Sequence, residues 1–275
     1  MSLCLVQPPD GATPSAAPRR FNHVKCAPST ALASFVEYYW VSRWDRRGQP
    51  ARAAASLLDP CVHLQVRDGR AEVMGVVRGT YRVRLEGRGC IVGVKFRPGG
   101  FNAFVDQPAM RWTDRTVPAE LLFGASSTKS ARDLTDATVA CDGDATAHAA
   151  IVTPRLDAFL ESRAPVRDSI AEDVAALVAL IATSPHVKRV ADLVQASGRS
   201  ERTLQRLFAQ YVGASPAWTI RRYRLHSAAA RLSAREPQDV RAVAWELGYA
   251  DQAHFIRDFR ATIGVTPGAY VDRPR

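Results

Sequence analysis

The side chains best suited to chemistry lie near the C-terminus, on two predicted helices that share one pattern. In the helix predicted over 201–211, the outward residues are Arg202, Gln205 and Arg206. The opposite face is apolar at the spacing of a helix packed on a core, with Leu204, Leu207, Phe208 and Tyr211. Arginine can make paired hydrogen bonds to guanine, and glutamine can make them to adenine. This face is therefore suited to reading bases in the major groove of DNA.

The second helix, predicted over 252–263, turns Phe255 and Phe259 inward. Its predicted outward set is Gln252, Ala253, His254, Ile256 and Arg257, with His254 near the edge of the face. Ile256 stands where the first helix has Gln205, and it could pack on a thymine methyl group.

An outward Arg/Gln face on an isolated helix is more often plain solvated surface than a reading surface. Two such faces in register favour base reading for Arg202, Gln205, Arg206 and Arg257. For Ala253, His254 and Ile256 the choice between base reading and plain surface stays open.

The two helices belong to an internal repeat with an offset of 51 residues. Each copy reads as an N-cap, a helix, a glycine stop, and then a Ser/Thr cap followed by proline. Upstream, Gly198 and Gly248 mark tight turns after two shorter helices, predicted over 190–197 and 240–247, so the repeat predicts two helix-turn-helix units. The matched pairs are Ser200 with Asp251, Leu204 with Phe255, Arg206 with Arg257, Phe208 with Phe259, Gly213 with Gly264, Ser215 with Thr266, and Pro216 with Pro267.

A long helix without internal glycine or proline is predicted between the units, over 217–234. At roughly 1.5 Å per residue it spans close to 30 Å, which is near the roughly 34 Å of one DNA turn. Two reading helices at that separation could enter successive major grooves. Arg221, Arg222 and Arg224 on the long helix are either phosphate contacts or a solvated face. The residues predicted to contact DNA phosphates are Arg199, Ser200, Thr203, Arg221 and Arg222.

This segment resembles the DNA-binding domain of the AraC/XylS family of bacterial transcription regulators, over about residues 168–272. The stretches that carry the resemblance are GRSERTLQRLF (198–208), RYRL (222–225), AAARL (228–232), AWELGYADQAHFIRDF (244–259) and IGVTPGAY (263–270). The resemblance implies seven helices with two helix-turn-helix units, and binding to promoter DNA, often as an activator that contacts RNA polymerase. It places the base-reading sites on Arg202, Gln205, Arg206, Gln252, Ala253, His254 and Arg257. Ile256 departs from the family pattern, in which a small polar residue is usual.

The N-terminal part predicts a different class of structure. Alternating apolar residues and frequent glycines between about 30 and 96 indicate a small antiparallel sheet or barrel, followed by helices over 118–164. The fold class is therefore α+β, with an N-terminal module at 21–165 ahead of the all-α domain at 168–272. Residues 1–20, rich in Pro, Ala and Ser, are predicted to be a mobile tail. The stretches FVEYYW (35–40), DPCVH (59–63) and GVKFRPGGF (93–101) resemble a module found ahead of such DNA-binding domains, where the family places effector sensing or dimerisation.

An alternative function rests on Cys61, His63 and Cys90. Residues two apart on a strand share a face, so Cys61 and His63 could bind a metal in a sensor or an enzymatic domain. The other interpretation is a buried thiol beside a hydrogen-bonded histidine.

Composition narrows the class of protein. The net charge of +10 suggests a polyanionic partner, although only +4 of it lies in residues 168–275. Within that part, the segment 198–231 carries +6, so the first unit and the long helix form the basic stripe. The N-terminus has no secretory signal, no apolar run could span a membrane, and five scattered cysteines fit no disulfide framework. Composition thus indicates a cytoplasmic protein, and we expect no catalytic activity and no cofactor. The resemblance implies a regulator whose partners are promoter DNA, RNA polymerase, a small-molecule effector and a second copy of the chain.

Overall fold

The N-terminal module is built from two antiparallel sheets. The computed structural model describes residues 5–6, 21–141, 145–234 and 239–272. Within these residues, one sheet has the strand order β2-β3-β8-β5-β6-β9 and the other has the order β1-β4-β7. The strands are β1 (Leu5–Val6), β2 (Phe21–Cys26), β3 (Val36–Arg46), β4 (Arg52–Ser56), β5 (His63–Arg67), β6 (Arg70–Met74), β7 (Tyr81–Leu85), β8 (Gly87–Phe96) and β9 (Thr116–Pro118).

Strands β3 and β8 form the centre of the larger sheet, where two tryptophans lie across two glycines. Trp40 is the register partner of Gly93, and Trp44 is the partner of Gly89. A Cβ atom at either glycine would overlap the indole ring of its partner, so both glycines are required for the rings to lie flat on β8.

Three helices follow the sheets: α1 (Glu120–Phe123), α2 (Ala125–Ala140) and α3 (Ala145–Glu161). Leu134, Val152 and Leu156 pack on the larger sheet in one apolar core with Val92. Asp157 on α3 accepts a 2.7 Å hydrogen bond from the hydroxyl group of Tyr39, which ties α3 to β3.

The C-terminal domain is entirely helical within the described residues. The predicted helices at 190–197, 240–247 and 252–263 are confirmed to within one residue. Helix α6 ends in a π-helical turn at Phe208–Val212, and α7 is about 25 Å long at the usual rise per residue. The helices are α4 (Ser169–Thr183), α5 (Val190–Ser197), α6 (Glu201–Leu207), α7 (Pro216–Leu232), α8 (Val240–Glu246), α9 (Gln252–Ile263) and α10 (Pro267–Val271).

The two parts of the chain are joined by hydrogen bonds that backbone carbonyl oxygens of the C-terminal domain accept. The amide of Gly99 donates to the carbonyl oxygen of Tyr211 at 2.9 Å, and the Thr80 hydroxyl donates to the carbonyl oxygen of Thr262 at 2.7 Å. Gly213 has a left-handed φ of 86°, and a Cβ there would lie 3.0 Å from the carbonyl oxygen of Ala109. Gly99 lies in the turn after β8, Thr262 lies near the end of α9, and Gly213 is the glycine stop of the first unit.

The predicted α+β arrangement, with an antiparallel N-terminal module and seven following helices, is confirmed. Of the predicted tail, only Leu5–Val6 is described, and it pairs with Ala55 and Ser56 on β4. The rest of 1–20 lies outside the described residues, as does 142–144. Strand β2 was not predicted from the sequence. In the described parts of the chain, no helix is long and apolar enough to cross a membrane.

Candidate nucleic-acid interface

Helix α6 is positioned by a serine cap and an apolar face. The Ser200 hydroxyl accepts a 3.2 Å hydrogen bond from the backbone amide of Thr203, which satisfies a free donor at the helix start. Leu204 and Leu207 are buried in the core of the first unit. The predicted reading residues of this helix all lie on the solvent side: Arg202, Gln205 and Arg206 are exposed.

Helix α9 repeats this arrangement with an aspartate cap. Asp251 accepts a 2.7 Å hydrogen bond from the amide of His254, while Phe255 and Phe259 are fully buried. Four of the predicted reading residues, Gln252, Ala253, His254 and Arg257, are exposed. Ile256 is half-buried.

The two helix-turn-helix units pack on different halves of helix α7. Ile220, on its N-terminal half, packs in the core that contains Leu204 and Phe208 of the first unit. Leu225 and Ala229, on its C-terminal half, pack in a second core with α8, α9 and α10. The long helix therefore separates the two units along its length.

The prediction that Arg222 contacts phosphate is wrong. Its side chain is only 2% exposed, and it donates hydrogen bonds to the carbonyl oxygens of Leu58 (2.9 Å), Val77 (2.8 Å) and Gly79 (3.0 Å) in the N-terminal module. Burial lowers the pKa of Arg222 to about 10, so the guanidinium group stays charged at neutral pH. Its role is to join α7 to the N-terminal module.

The position of Arg222 in the helix explains the error. Residues 222, 225 and 229 are spaced at i, i+3 and i+7, so Arg222 lies in phase with the buried Leu225 and Ala229. The charge of the side chain suggested a phosphate contact, although its position in the helix already indicated burial in the core.

The other predicted phosphate residues are placed differently. Arg199 forms a 2.5 Å ion pair with Asp173 on α4, and Arg221 lies 3.0 Å from the carboxylate of Asp258 on α9. Ser200 and Thr203 remain at the start of α6, with their hydroxyl oxygens 2.9 Å apart. The start of the first reading helix thus keeps its two hydroxyl groups near the surface, while two of the arginines are held by carboxylates.

The basic stripe at 198–231 is therefore less available than its charge suggests. Arg224 stacks over the ring of Tyr249 at 4.0 Å, and Arg231 pairs with Glu246. Of the seven arginines in the stripe, five have partners among the described residues: Arg199, Arg221, Arg222, Arg224 and Arg231. The two that remain, Arg202 and Arg206, are both on the exposed face of α6.

The proposed metal site at Cys61, His63 and Cys90 is not formed. His63 is the register partner of Lys95 on β8, and Cys90 is five residues further along that strand, roughly 16 Å away at the usual strand rise. Cys61 and His63 do lie together, with Sγ and Nε2 3.4 Å apart, and both are buried. Burial raises the pKa of the Cys61 thiol. Across 5–6, 21–141, 145–234 and 239–272, no group of three His, Cys, Asp or Glu side chains is placed to hold a metal ion.

Two helix-turn-helix units on one connecting helix define a class of DNA-binding fold, and comparison with known proteins agrees. Residues 193–273 match a family described as a helix-turn-helix domain, and residues 24–118 match a domain of unknown function (DUF6597). An uncharacterized HTH-type transcriptional regulator from Haemophilus influenzae is 32% identical over 95 residues, which are 34% of this chain and 32% of that protein. The match therefore spans about a third of the length of that curated relative.

Solved structures of ToxT from Vibrio cholerae also align with the chain. Apo ToxT has a TM-score of 0.43 at 9% identity and covers 93% of this chain and 97% of its own. A ToxT structure with bound unsaturated fatty acid has a TM-score of 0.36 at 11% identity and covers 92% of this chain and 91% of its own. The family match over 193–273 spans the part of the chain in which the structure shows both helix-turn-helix units.

Proposed function

We propose that this protein is a sequence-specific transcription regulator that places α6 and α9 in two successive major grooves of promoter DNA. One observation carries the proposal: the second helix of each unit presents an exposed polar face that includes arginine and glutamine. Arg202, Gln205 and Arg206 would read one groove, and Gln252, Ala253, His254 and Arg257 the other. Ile256, half-buried at the edge of α9, would contribute an apolar contact.

The spacing of the two units supports a single binding mode. The two cores lie along α7, whose length of roughly 25 Å is comparable with the roughly 34 Å of a DNA turn. A rigid connector of this length favours two half-sites on one side of the duplex.

The charges indicate that the two reading helices contribute unequally to the attraction to DNA phosphates. Arg202 and Arg206 are the stripe arginines without a partner in the described parts of the chain, so α6 would supply most of the attraction to phosphate. Arg199, Ser200, Thr203 and Arg221 would add phosphate contacts at the edges, once Arg199 and Arg221 exchange their carboxylate partners for phosphate.

Selection from a random duplex library with the full chain tests this function. We expect enriched sequences that contain two conserved half-sites about 10 base pairs apart, since adjacent major grooves on one face recur at that interval. Enrichment of a single half-site, or no enrichment above random sequence at moderate salt, would contradict the two-groove mode.

The AraC resemblance supports finer parts of the same proposal. The N-terminal module would bind a small-molecule effector and join two copies of the chain, and the DNA-bound protein would activate transcription by contacting RNA polymerase in the bacterial cytoplasm. Transcription in vitro from a selected promoter, with and without the protein, tests activation. Sedimentation of the full chain tests the dimer.

A further inference from the structure

The N-terminal module contains a cavity of about 390 Å³ between its two sheets. This is within the usual size range of small-molecule sites. Strands β2, β3, β5, β6 and β8 of the larger sheet supply one wall, and strands β4 and β7 supply the other. Most of the wall is apolar or aromatic, and its large side chains include Trp40, Trp44, Tyr81, Leu57, Leu85 and Ile91.

The charged groups of the wall balance one another. Lys95 is buried, and its ammonium group lies between the carboxylates of Asp59 and Glu37. Lys25, the other lysine of the wall, lies 4.2 Å from the centre of the Tyr38 ring. Lys95 is the buried cation and already has two carboxylate partners, whereas Lys25 is exposed and lies on the Tyr38 ring. A ligand carboxylate would therefore lose its hydration without gaining an uncommitted buried cation.

The polar part of the wall includes three histidines. Burial lowers the pKa of His63 to about 3 and of His226 to about 4, and it also lowers the pKa of His23. Each ring pairs one nitrogen: His23 with Ser42, His63 with Cys61, and His226 with Asp59. The other nitrogens, His23 Nε2, His63 Nδ1 and His226 Nε2, are buried without a hydrogen-bond partner among the described residues. A neutral hydroxyl or amide group on a ligand would compensate such nitrogens.

One wall residue comes from the DNA-binding domain. His226 is on α7, one helical turn after Arg222, and its Nδ1 lies 3.4 Å from Oδ1 of Asp59. Leu58, which lines the same cavity, accepts a hydrogen bond from Arg222. The segment 57–59 therefore touches the cavity on one side and the helix between the two reading units on the other.

We propose that this cavity binds an uncharged aromatic molecule that carries a hydroxyl or amide group, and that its occupancy changes DNA affinity through the contacts of Leu58 and Asp59 with α7. The binding half names a ligand class for the effector proposed above and is tested without DNA, whereas the regulatory half rests on the proposed DNA-binding function. The aromatic walls favour ring stacking, and the balanced charges disfavour an anion.

Calorimetry on the full chain with three related probes tests the binding half. The probes are 2-naphthol, which is neutral with one hydroxyl group, 2-naphthoate, which is anionic, and naphthalene, which lacks a polar group. We expect 2-naphthol to bind about tenfold tighter than either of the others, since only it matches both the apolar wall and the neutral histidines. Tighter binding of 2-naphthoate, or no heat from 2-naphthol, would overturn the proposed chemistry.

A matched pair of substitutions on β4 locates the site. Ala54 lines the cavity, whereas its neighbour Ala53 points to the opposite face and is exposed. Ala54→Trp should fill the cavity and weaken 2-naphthol binding by about tenfold or more, whereas Ala53→Trp should leave it unchanged. Equal effects of the two variants would show that the ligand binds elsewhere.

The regulatory half is tested by DNA affinity with and without saturating 2-naphthol, using a duplex selected with the ligand-free chain. We expect a change of about fivefold or more, within the usual range of coupling between two sites. His226→Gln should reduce that change more than it reduces ligand affinity. If 2-naphthol binds but the DNA affinity does not change, the proposed coupling is wrong and the ligand site itself is still supported. If no duplex binds at all, the proposed function fails, and calorimetry still decides the ligand site.

Discussion

Arg222 on α7 donates a 2.9 Å hydrogen bond from Nε to the carbonyl oxygen of Leu58, across the boundary between the two parts of the chain. Its Nη2 atom bonds two further carbonyl oxygens, those of Val77 and Gly79. One guanidinium group thus satisfies three backbone acceptors of the N-terminal module. The contact makes α7 a shared element of both parts.

Replacing Arg222 with alanine should therefore destabilise the protein. The variant leaves the buried carbonyl group of Leu58 and the partly buried ones of Val77 and Gly79 without their donor, which costs about 2–4 kcal/mol of unfolding free energy. Urea denaturation of the full chain measures this loss. Arg221→Ala is the neighbouring control, because Arg221 is only half-buried and its loss should cost about 1 kcal/mol or less. An Arg222→Ala protein with unchanged stability and weakened DNA binding would restore the phosphate role.

Replacing Arg206 with alanine should weaken specific DNA binding. The side chain is exposed at the centre of the proposed α6 reading face. We expect a loss of about 1–3 kcal/mol on the selected duplex and relaxed preference at one base position. Fluorescence anisotropy on the selected duplex and on a panel of single-base variants measures both effects.

Arg132→Ala is the matched control for that experiment. Arg132 is an exposed arginine on α2, in the N-terminal module, so its loss changes the net charge equally without touching α6. The control should leave specific binding within about 0.5 kcal/mol of the parent chain. If both variants weaken binding alike and neither changes base preference, Arg206 acts only through charge.

The C-terminal domain was more predictable from sequence than the N-terminal module because its signals are local. Caps such as Ser200 and Asp251, with a glycine stop about one helix later, determine where each helix begins and ends. The exposed faces of α6 and α9 follow from the same periodicity. Helix phase alone could also have placed Arg222 in the interior.

The cavity and the domain boundary depend on pairing between distant segments. Trp40 and Trp44 line the cavity because they lie across Gly93 and Gly89 on a strand some fifty residues later. Nothing local to residue 226 indicates that His226 meets Asp59, since the meeting requires the whole module to dock on α7. Single-sequence patterns carry no register between such segments.

Replacing Gly213 with alanine should destabilise the boundary between the two parts. The residue has φ of 86°, and its Cβ would sit 3.0 Å from the carbonyl oxygen of Ala109, so both backbone conformation and space favour glycine. We expect a loss of about 1–3 kcal/mol, measured as a lower melting temperature of the full chain. Gly268→Ala is the control, since a Cβ there meets open space on α10 and should be neutral or slightly stabilising. Equal melting temperatures for the two variants would contradict the close approach at Gly213.

Acidification should begin to destabilise the protein at pH values well above those at which ordinary carboxylates titrate. Burial lowers the pKa of His63 to about 3 and of His226 to about 4, from 6.5 in the unfolded chain. Below pH 6.5 these histidines are therefore protonated in the unfolded chain but remain neutral in the folded chain. The unfolding free energy consequently falls as the pH falls. Each of the two histidines lowers the unfolding free energy by about 1.4 kcal/mol per pH unit below pH 6.5, until its folded-state pKa is reached.

Urea denaturation between pH 7.5 and pH 5 measures this dependence. His226→Gln removes one of the two main titrating groups, so its stability should fall less steeply with pH than that of the parent chain. His186→Gln serves as the control, because it makes the same substitution at an exposed histidine outside the boundary. The stability of the parent chain is fully present above pH 6.5, so all three proteins are compared there first. A parent chain whose stability is level from pH 7.5 to pH 5, or an unchanged slope in His226→Gln, would show that His226 is not held in its neutral form by burial against the N-terminal module.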